Sequence, residues 1–202
     1  MSDESQIGPD TQARSIREIL RLKNTVSSLW TILISLIGAG VFIVLSTISM
    51  PFIAISLFKF GILPTVIAVP IIAAFRGPLA GFFTGYLGVV IGDLVLHSVV
   101  VNYTLQGLAY GFMGLVVGLA YYNFVNGRSL VKLAILSIVG LAFTGLLLVV
   151  VGILIEGYSV LIGIGFVLLP ILTQGIPTVL LFVPVFAKII HAFELRVMGM
   201  VS

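Results

Sequence analysis

Asp93 and His97 stand four positions apart in the apolar run LGVVIGDLVLH, so on a helix they share one face, a turn apart. An acid and an imidazole at that spacing can share a proton or offer two ligands to a metal, although two ligands do not complete a metal site. Asn102 and Gln106 repeat the spacing, with Tyr103 and Tyr110 close by. Glu156 and Tyr158 follow a later apolar stretch, Gln174 interrupts the last one, and Lys59 stands alone between two others. These residues can hydrogen-bond and match charge on a small molecule, and the tyrosines can stack on a ring. The bland alternative for each is a polar group merely wetted at an interface. Gln106 and Gln174 resist it best, because both fall inside apolar runs.

Motifs for turnover are missing. There is no G-x-x-x-x-G-K-[ST], no H-E-x-x-H and no G-x-S-x-G. With no cysteine, disulfides, thiolate catalysis and cysteine-bound metals drop out together. No cofactor is implied, and the chain is expected to bind rather than to catalyse. An intramembrane enzyme using Asp93 and His97 and a membrane scaffold without a ligand stay open as alternatives.

The elements that carry these residues follow from composition. Of the 202 residues, 60% are hydrophobic and 8% charged, and the mean hydropathy is +1.30. A soluble domain carries about 25% charged residues, so water is excluded as the surrounding solvent. Disorder is excluded by the same figures. Crossing a hydrocarbon core takes ~20 apolar residues, and the long continuous runs indicate helices rather than a barrel. The fold expected is an all-α, polytopic integral membrane protein. Its six spans cover about 30–50, 61–75, 79–96, 103–122, 130–154 and 170–190, with 160–169 as a partly buried lead-in to the last. Residues 1–29 form a cytoplasmic tail with a possible interfacial helix, 30–190 the transmembrane domain and 191–202 a cytoplasmic tail. The polar start shows no apolar signal-peptide core.

Charge sets the orientation. With six spans, nine of the ten basic residues (Arg14, Arg17, Arg21, Lys23, Arg76, Arg128, Lys132, Lys188 and Arg196) fall on the side of the N-terminus, and Lys59 alone on the other. That bias places both termini in the cytoplasm of a multi-pass cell-membrane protein. It also accounts for the basic pI without nucleic acid. The polar candidates then cluster in the outer third. Small residues form a second pattern: Ser27, Thr31, Ser35 and Ala39 along span one, and Gly81, Gly85, Gly88 and Gly92 along span three. Such stripes let helices approach closely in lipid. The glycines read as internal packing, and the span-one stripe reads equally as packing or as a docking surface.

The stretch FGILPTVIAVPIIAAFRGPLAGFFTGYLGVVIGDL, residues 60–94, resembles the second-to-third helix region of substrate-binding S components of energy-coupling factor (ECF) type ABC transporters. A proline-broken second helix, an Arg-Gly-Pro turn and a glycine-striped helix ending in Gly92-Asp93 carry the resemblance. It implies capture of a vitamin or related micronutrient at the outer side. It further implies docking on a transmembrane T component coupled to two ATPase subunits. The family's small-x-x-x-small docking motif falls on Ser35 and Ala39, with serine in place of the first alanine.

Overall fold

Apolar segments in lipid must satisfy their own backbone hydrogen bonds, and helices do so within one segment. The computed structural model describes residues 29–48, 53–55, 58–60, 62–98, 104–124 and 127–201. The proposed interfacial helix before residue 29 lies outside them. Helix α1 is Leu29–Thr47. A small antiparallel hairpin follows, β1 (Ile53–Ile55) with β2 (Phe58–Phe60), pairing Ala54 with Lys59. Then come α2 (Thr65–Arg76), α3 (Pro78–His97), α4 (Thr104–Gly118) and α5 (Gly127–Leu154). A short α6 (Val160–Ile162) leads through π-helical Gly163–Leu168 into α7 (Leu169–Val201). The hairpin was not foreseen; it occupies what the hydropathy pattern marks only as a loop.

Among the described residues, four helical stretches are long and apolar enough to cross a membrane: Leu29–Thr47, Pro78–Leu96, Gly127–Leu154 and Val160–Glu194. The second and fourth expected spans are shorter helices of 12 and 15 residues. At 1.5 Å per residue they rise about 18 and 22 Å, short of the ~30 Å hydrocarbon core. For α2 the reason is its position. Val66, Ile67, Ala68, Val69, Pro70, Ile71, Ala73 and Ala74 are all buried, so α2 is a central helix wrapped by α1, α3, α4 and α7. Its ends are local. Gly77 at φ 97° is a conformation suited to glycine, its N–H donates to Ala73 O at 2.8 Å, and Pro78 opens α3 immediately.

At the C-terminal side the lead-in is partly buried, exposed at its start (Val160 60%, Leu161 78%) and covered at Gly163. It runs into α7 without a break, because Ile162, Gly163 and Leu169 all keep right-handed helical angles. The expected tail is helical over 191–201, where α7 continues.

Packing is closest where side chains are smallest. A Cβ on Gly81 would lie 2.5 Å from the Ala73 Cβ and 2.9 Å from the Gly114 backbone, and one on Gly85 would lie 2.5 Å from the Tyr110 carbonyl oxygen. The α3–α4 contact is therefore backbone against backbone. Buried hydroxyls add polar ties between helices. Thr144 Oγ1 donates toward Ala109 O (3.0 Å) and Gly140 O (2.9 Å), and Leu63 N–H donates to Thr178 Oγ1 (2.9 Å). At the α2/α4 C-terminal end, Phe75 and Tyr122 stack against Phe124, and His191 of α7 packs on the same ring at 5.7 Å. His191 Nε2 is buried there without a hydrogen-bond partner. The outward faces are apolar, with Ile32, Val139, Leu146 and Leu181 all about half or more exposed. Only lipid solvates such a surface over its whole extent.

Candidate functional site

The opposite end of the bundle is hollow. There the C-terminal turns of α1, α3 and α5 meet the N-terminal turns of α2, α4 and α7 around two adjoining cavities. The first, of about 450 Å³, lies among α1, α2, α3 and α4 and is lined by Ser46, Thr47, Thr65, Asp93, Gln106 and Tyr110 against an apolar wall that includes Phe42 and Val89. The second, of about 270 Å³, lies beyond α4 toward α5 and α7. Its polar groups are Gln106, Tyr110, Glu156 and Tyr158, set among Leu148, Val151, Phe166 and Ile171. Together they fall in the range of small-molecule sites, roughly 300–1,000 Å³ with a few polar groups in an apolar lining.

Local structure explains how each polar group reaches its place. Gln106 and Tyr110 are one turn apart on α4, so both project from one face. Small residues on the other side of that helix allow the close approach: a Cβ on Gly107 would sit 3.0 Å from the Tyr86 carbonyl, and one on Gly111 2.8 Å from the Phe82 ring. Tyr110 is held by Phe42, edge-on at 5.6 Å and 76°. Asp93 occupies the last turn but one of α3, which Ser98 closes in a left-handed conformation (φ 56°) with its N–H on Asp93 O. Glu156 and Tyr158 stand in the turn after α5. There Gly157 takes φ 70°, Tyr158 N–H donates to Gly152 O at 3.0 Å, and a Cβ on Gly152 would meet the Tyr158 ring at 2.7 Å. Ser159 then caps the next helix, accepting from Ile162 N–H at 3.3 Å.

Five of the ten binding candidates thus come together: Asp93, Gln106, Tyr110, Glu156 and Tyr158. Gln174 does not join them. It is half-buried on α7, lines neither cavity, and its carbonyl accepts the Thr178 hydroxyl at 2.7 Å. Lys59 is carried by β2, whose strand packs on α7, and His97 closes α3. The side chains of both lie outside the described residues, as do Asn102 and Tyr103 entirely. Among the described residues no group of three or more His, Cys, Asp or Glu is placed to hold a metal.

Sequence reasoning missed Ser46, Thr47 and Thr65. Their signal was available, since each is a hydroxyl at the end of an apolar helix, but Ser46 and Thr47 turn their hydroxyls to Ile43 O and Val44 O at 2.6 and 2.7 Å.

Ser35 and Ala39, the positions on which the family's docking motif falls, pack within the chain. They are 2% and 1% exposed, and both lie on the face of α1 that packs inward. Ser35 Oγ donates to Thr31 O at 2.7 Å, and a Cβ on neighbouring Gly38 would press 2.7 Å from Thr84 Oγ1 of α3. The stripe joins α1 to α3, and Thr31 and Ser35 also border an open groove between these helices, walled by Ile32, Leu36, Leu79, Phe83 and Leu87. No known protein family, curated protein or solved structure matches this chain.

Proposed function

We propose that this chain is the substrate-binding membrane subunit of an ECF-type transporter. It captures a vitamin or related small micronutrient at the outer side, for uptake driven by ATP hydrolysis in partner subunits. The observation that carries this reading is the convergence of Asp93, Gln106, Tyr110, Glu156 and Tyr158 on two adjoining cavities at one end of an apolar helical bundle. Charge supports the orientation. Arg76, Arg128, Lys132, Lys188 and Arg196 belong to the helix ends away from the cavities, whereas Asp93 and Glu156 stand at the cavity end. The positive-inside tendency then turns the cavities outward, with six membrane segments and both termini in the cytoplasm of a cell membrane. The two short helices would lie within the bundle, where protein rather than lipid completes their surroundings.

The chain carries no ATP-binding motif, so energy enters through a T component and two ATPase subunits. The test is native mass spectrometry of the chain purified from its own membranes. A small molecule that stays bound to the wild type and is lost from Gln106→Leu, with ATPase subunits in the same preparation, supports the reading. A wild-type chain free of both sinks it.

A further inference from the structure

Helices α1 and α7 both pack on α2, and between them they leave a groove of about 250 Å³. Its floor is the buried Ala68 and Ile71 of α2, and its rims are the partly exposed Ile37 and Val41 of α1 and Phe186 and Ile190 of α7. Among the described residues only apolar ones line it. Along α1 it runs from Ile37 to Leu45, about 12 Å at 1.5 Å per residue. The mean cross-section is then about 20 Å², the width of one extended hydrocarbon chain, whereas a helix 10–12 Å across takes about 80–110 Å². The groove admits an acyl chain and is too narrow for a helix. It also ends on charge. Ile72 lines it, and Arg76 follows one turn along α2 on the same face, about 6 Å further. Pro78, two residues on, opens the membrane-length helix Pro78–Leu96, so Arg76 stands at the height of the lipid headgroups. Among the described residues that end of the bundle carries Arg76, Arg128, Lys132, Lys188 and Arg196 against a single acid, Glu194.

We infer that the groove between α1 and α7 binds one anionic phospholipid, an acyl chain lying on Ala68 and Ile71 and the headgroup phosphate meeting Arg76. A guanidinium suits that contact, since its planar fork matches two phosphate oxygens at once. A zwitterionic lipid offers the same chain but no net charge to the basic end of the bundle. The bound lipid completes the wall that α1 and α7 leave open over the central helix. The inference is independent of any ligand in the cavities, which open at the other end.

Dioleoyl phosphatidylglycerol and dioleoyl phosphatidylcholine are each titrated into the delipidated, detergent-purified full chain, and bound lipids are counted by native mass spectrometry. The first phosphatidylglycerol should bind at least about fivefold more tightly than the first phosphatidylcholine, the margin of one basic residue at a membrane surface. Arg76→Gln should bring the two lipids level. Lys188→Gln should not, because Lys188 stands two residues from both Phe186 and Ile190 and so on another face of α7. Val41→Trp, at a position 47% exposed, fills the groove and should remove the tight first binding step. If that variant fails to fold, the comparison of Arg76→Gln with Lys188→Gln still decides. Equal wild-type affinities, or equal losses in the two charge variants, overturn the site and leave an unspecific lipid layer. The occupant is checked in native membranes with a benzophenone maleimide on Val41→Cys, the only thiol the chain then has. A lipid adduct is the expected product, and a protein adduct overturns the inference.

Discussion

Replacing Gly85 with alanine should force α3 and α4 apart. The new Cβ would lie 2.5 Å from the Tyr110 carbonyl oxygen, 2.6 Å from its carbon and 2.9 Å from Gly111 N. All three are backbone atoms, so no rotamer change relieves the clash. The helices must separate by about 1 Å to restore ordinary contact near 3.5 Å. Overpacking of this kind costs about 1–3 kcal/mol. Alanine also favours the helix over glycine by up to about 1 kcal/mol, which must be removed before the packing effect can be read. Gly40→Ala removes it. That residue is exposed on α1, and a Cβ there meets nothing within 4 Å, so its substitution reports helix propensity alone. The difference between the variants isolates the packing contribution, about 1–3 kcal/mol, or roughly 2–12 °C in Tm for a chain of this size. Thermal unfolding in matched detergent micelles measures it. Because the clash falls on the backbone of Tyr110 itself, Gly85→Ala should also weaken any ligand that contacts the Gln106–Tyr110 face, and Gly40→Ala should not. Variants that melt within about 1 °C of each other would refute the backbone-to-backbone packing of α3 on α4.

Thr178→Val should cost about 1–3 kcal/mol, because it leaves the Leu63 N–H without its acceptor. Amide exchange at Leu63 should quicken, and Thr178→Ser should restore both readings. Thr144→Val removes the hydroxyl tie from α5 to Ala109 and should cost about 0.6–2 kcal/mol in unfolding measurements, with Thr144→Ser close to wild type. Orientation is open to single-cysteine labelling without background, since the chain has no cysteine. Ser159→Cys should react with an impermeant maleimide from outside whole cells, and Asn123→Cys only after the membrane is opened. The reverse pattern would invert the proposed topology.

Much of the architecture was legible where local rules act. The Arg76-Gly77-Pro78 turn ends one helix and starts the next in the structure as in the sequence, because glycine and proline impose their own backbone preferences. The long apolar runs before residue 155 likewise became helices close to their expected limits, whereas the last helix runs on to Val201. Hydropathy could not distinguish α2 from a lipid-facing span, since a helix buried in protein and one buried in lipid are equally apolar. Nor could it show which small-residue stripe had a partner within the chain: Ser35 and Ala39 turned out to be occupied by α3. The π-helical stretch at Gly163–Leu168 has no sequence mark. Within the candidate site, scarcity pointed to Asp93, Gln106, Tyr110, Glu156 and Tyr158, because a polar group in an apolar run stands out. The walls that shape the cavities, such as Phe42 and Phe166, were invisible, being one apolar residue among many. Gln174 stood out equally in sequence, yet it lies one turn further along α7 than Pro170 and Ile171, beyond the second lining.

Helix α7 has 33 residues, so it rises about 50 Å, against ~30 Å of hydrocarbon. It begins at the cavities, where Pro170 and Ile171 form part of the second wall, and it still holds its helical form past His191 at the other end. Geometrically this is a lever that reaches through the membrane. A pivot of ~10° at the cavity end sweeps the far end through about 9 Å, a distance that paired spin labels resolve. A rearrangement around the cavities too small to see locally is thereby magnified into a displacement on the opposite side of the bilayer.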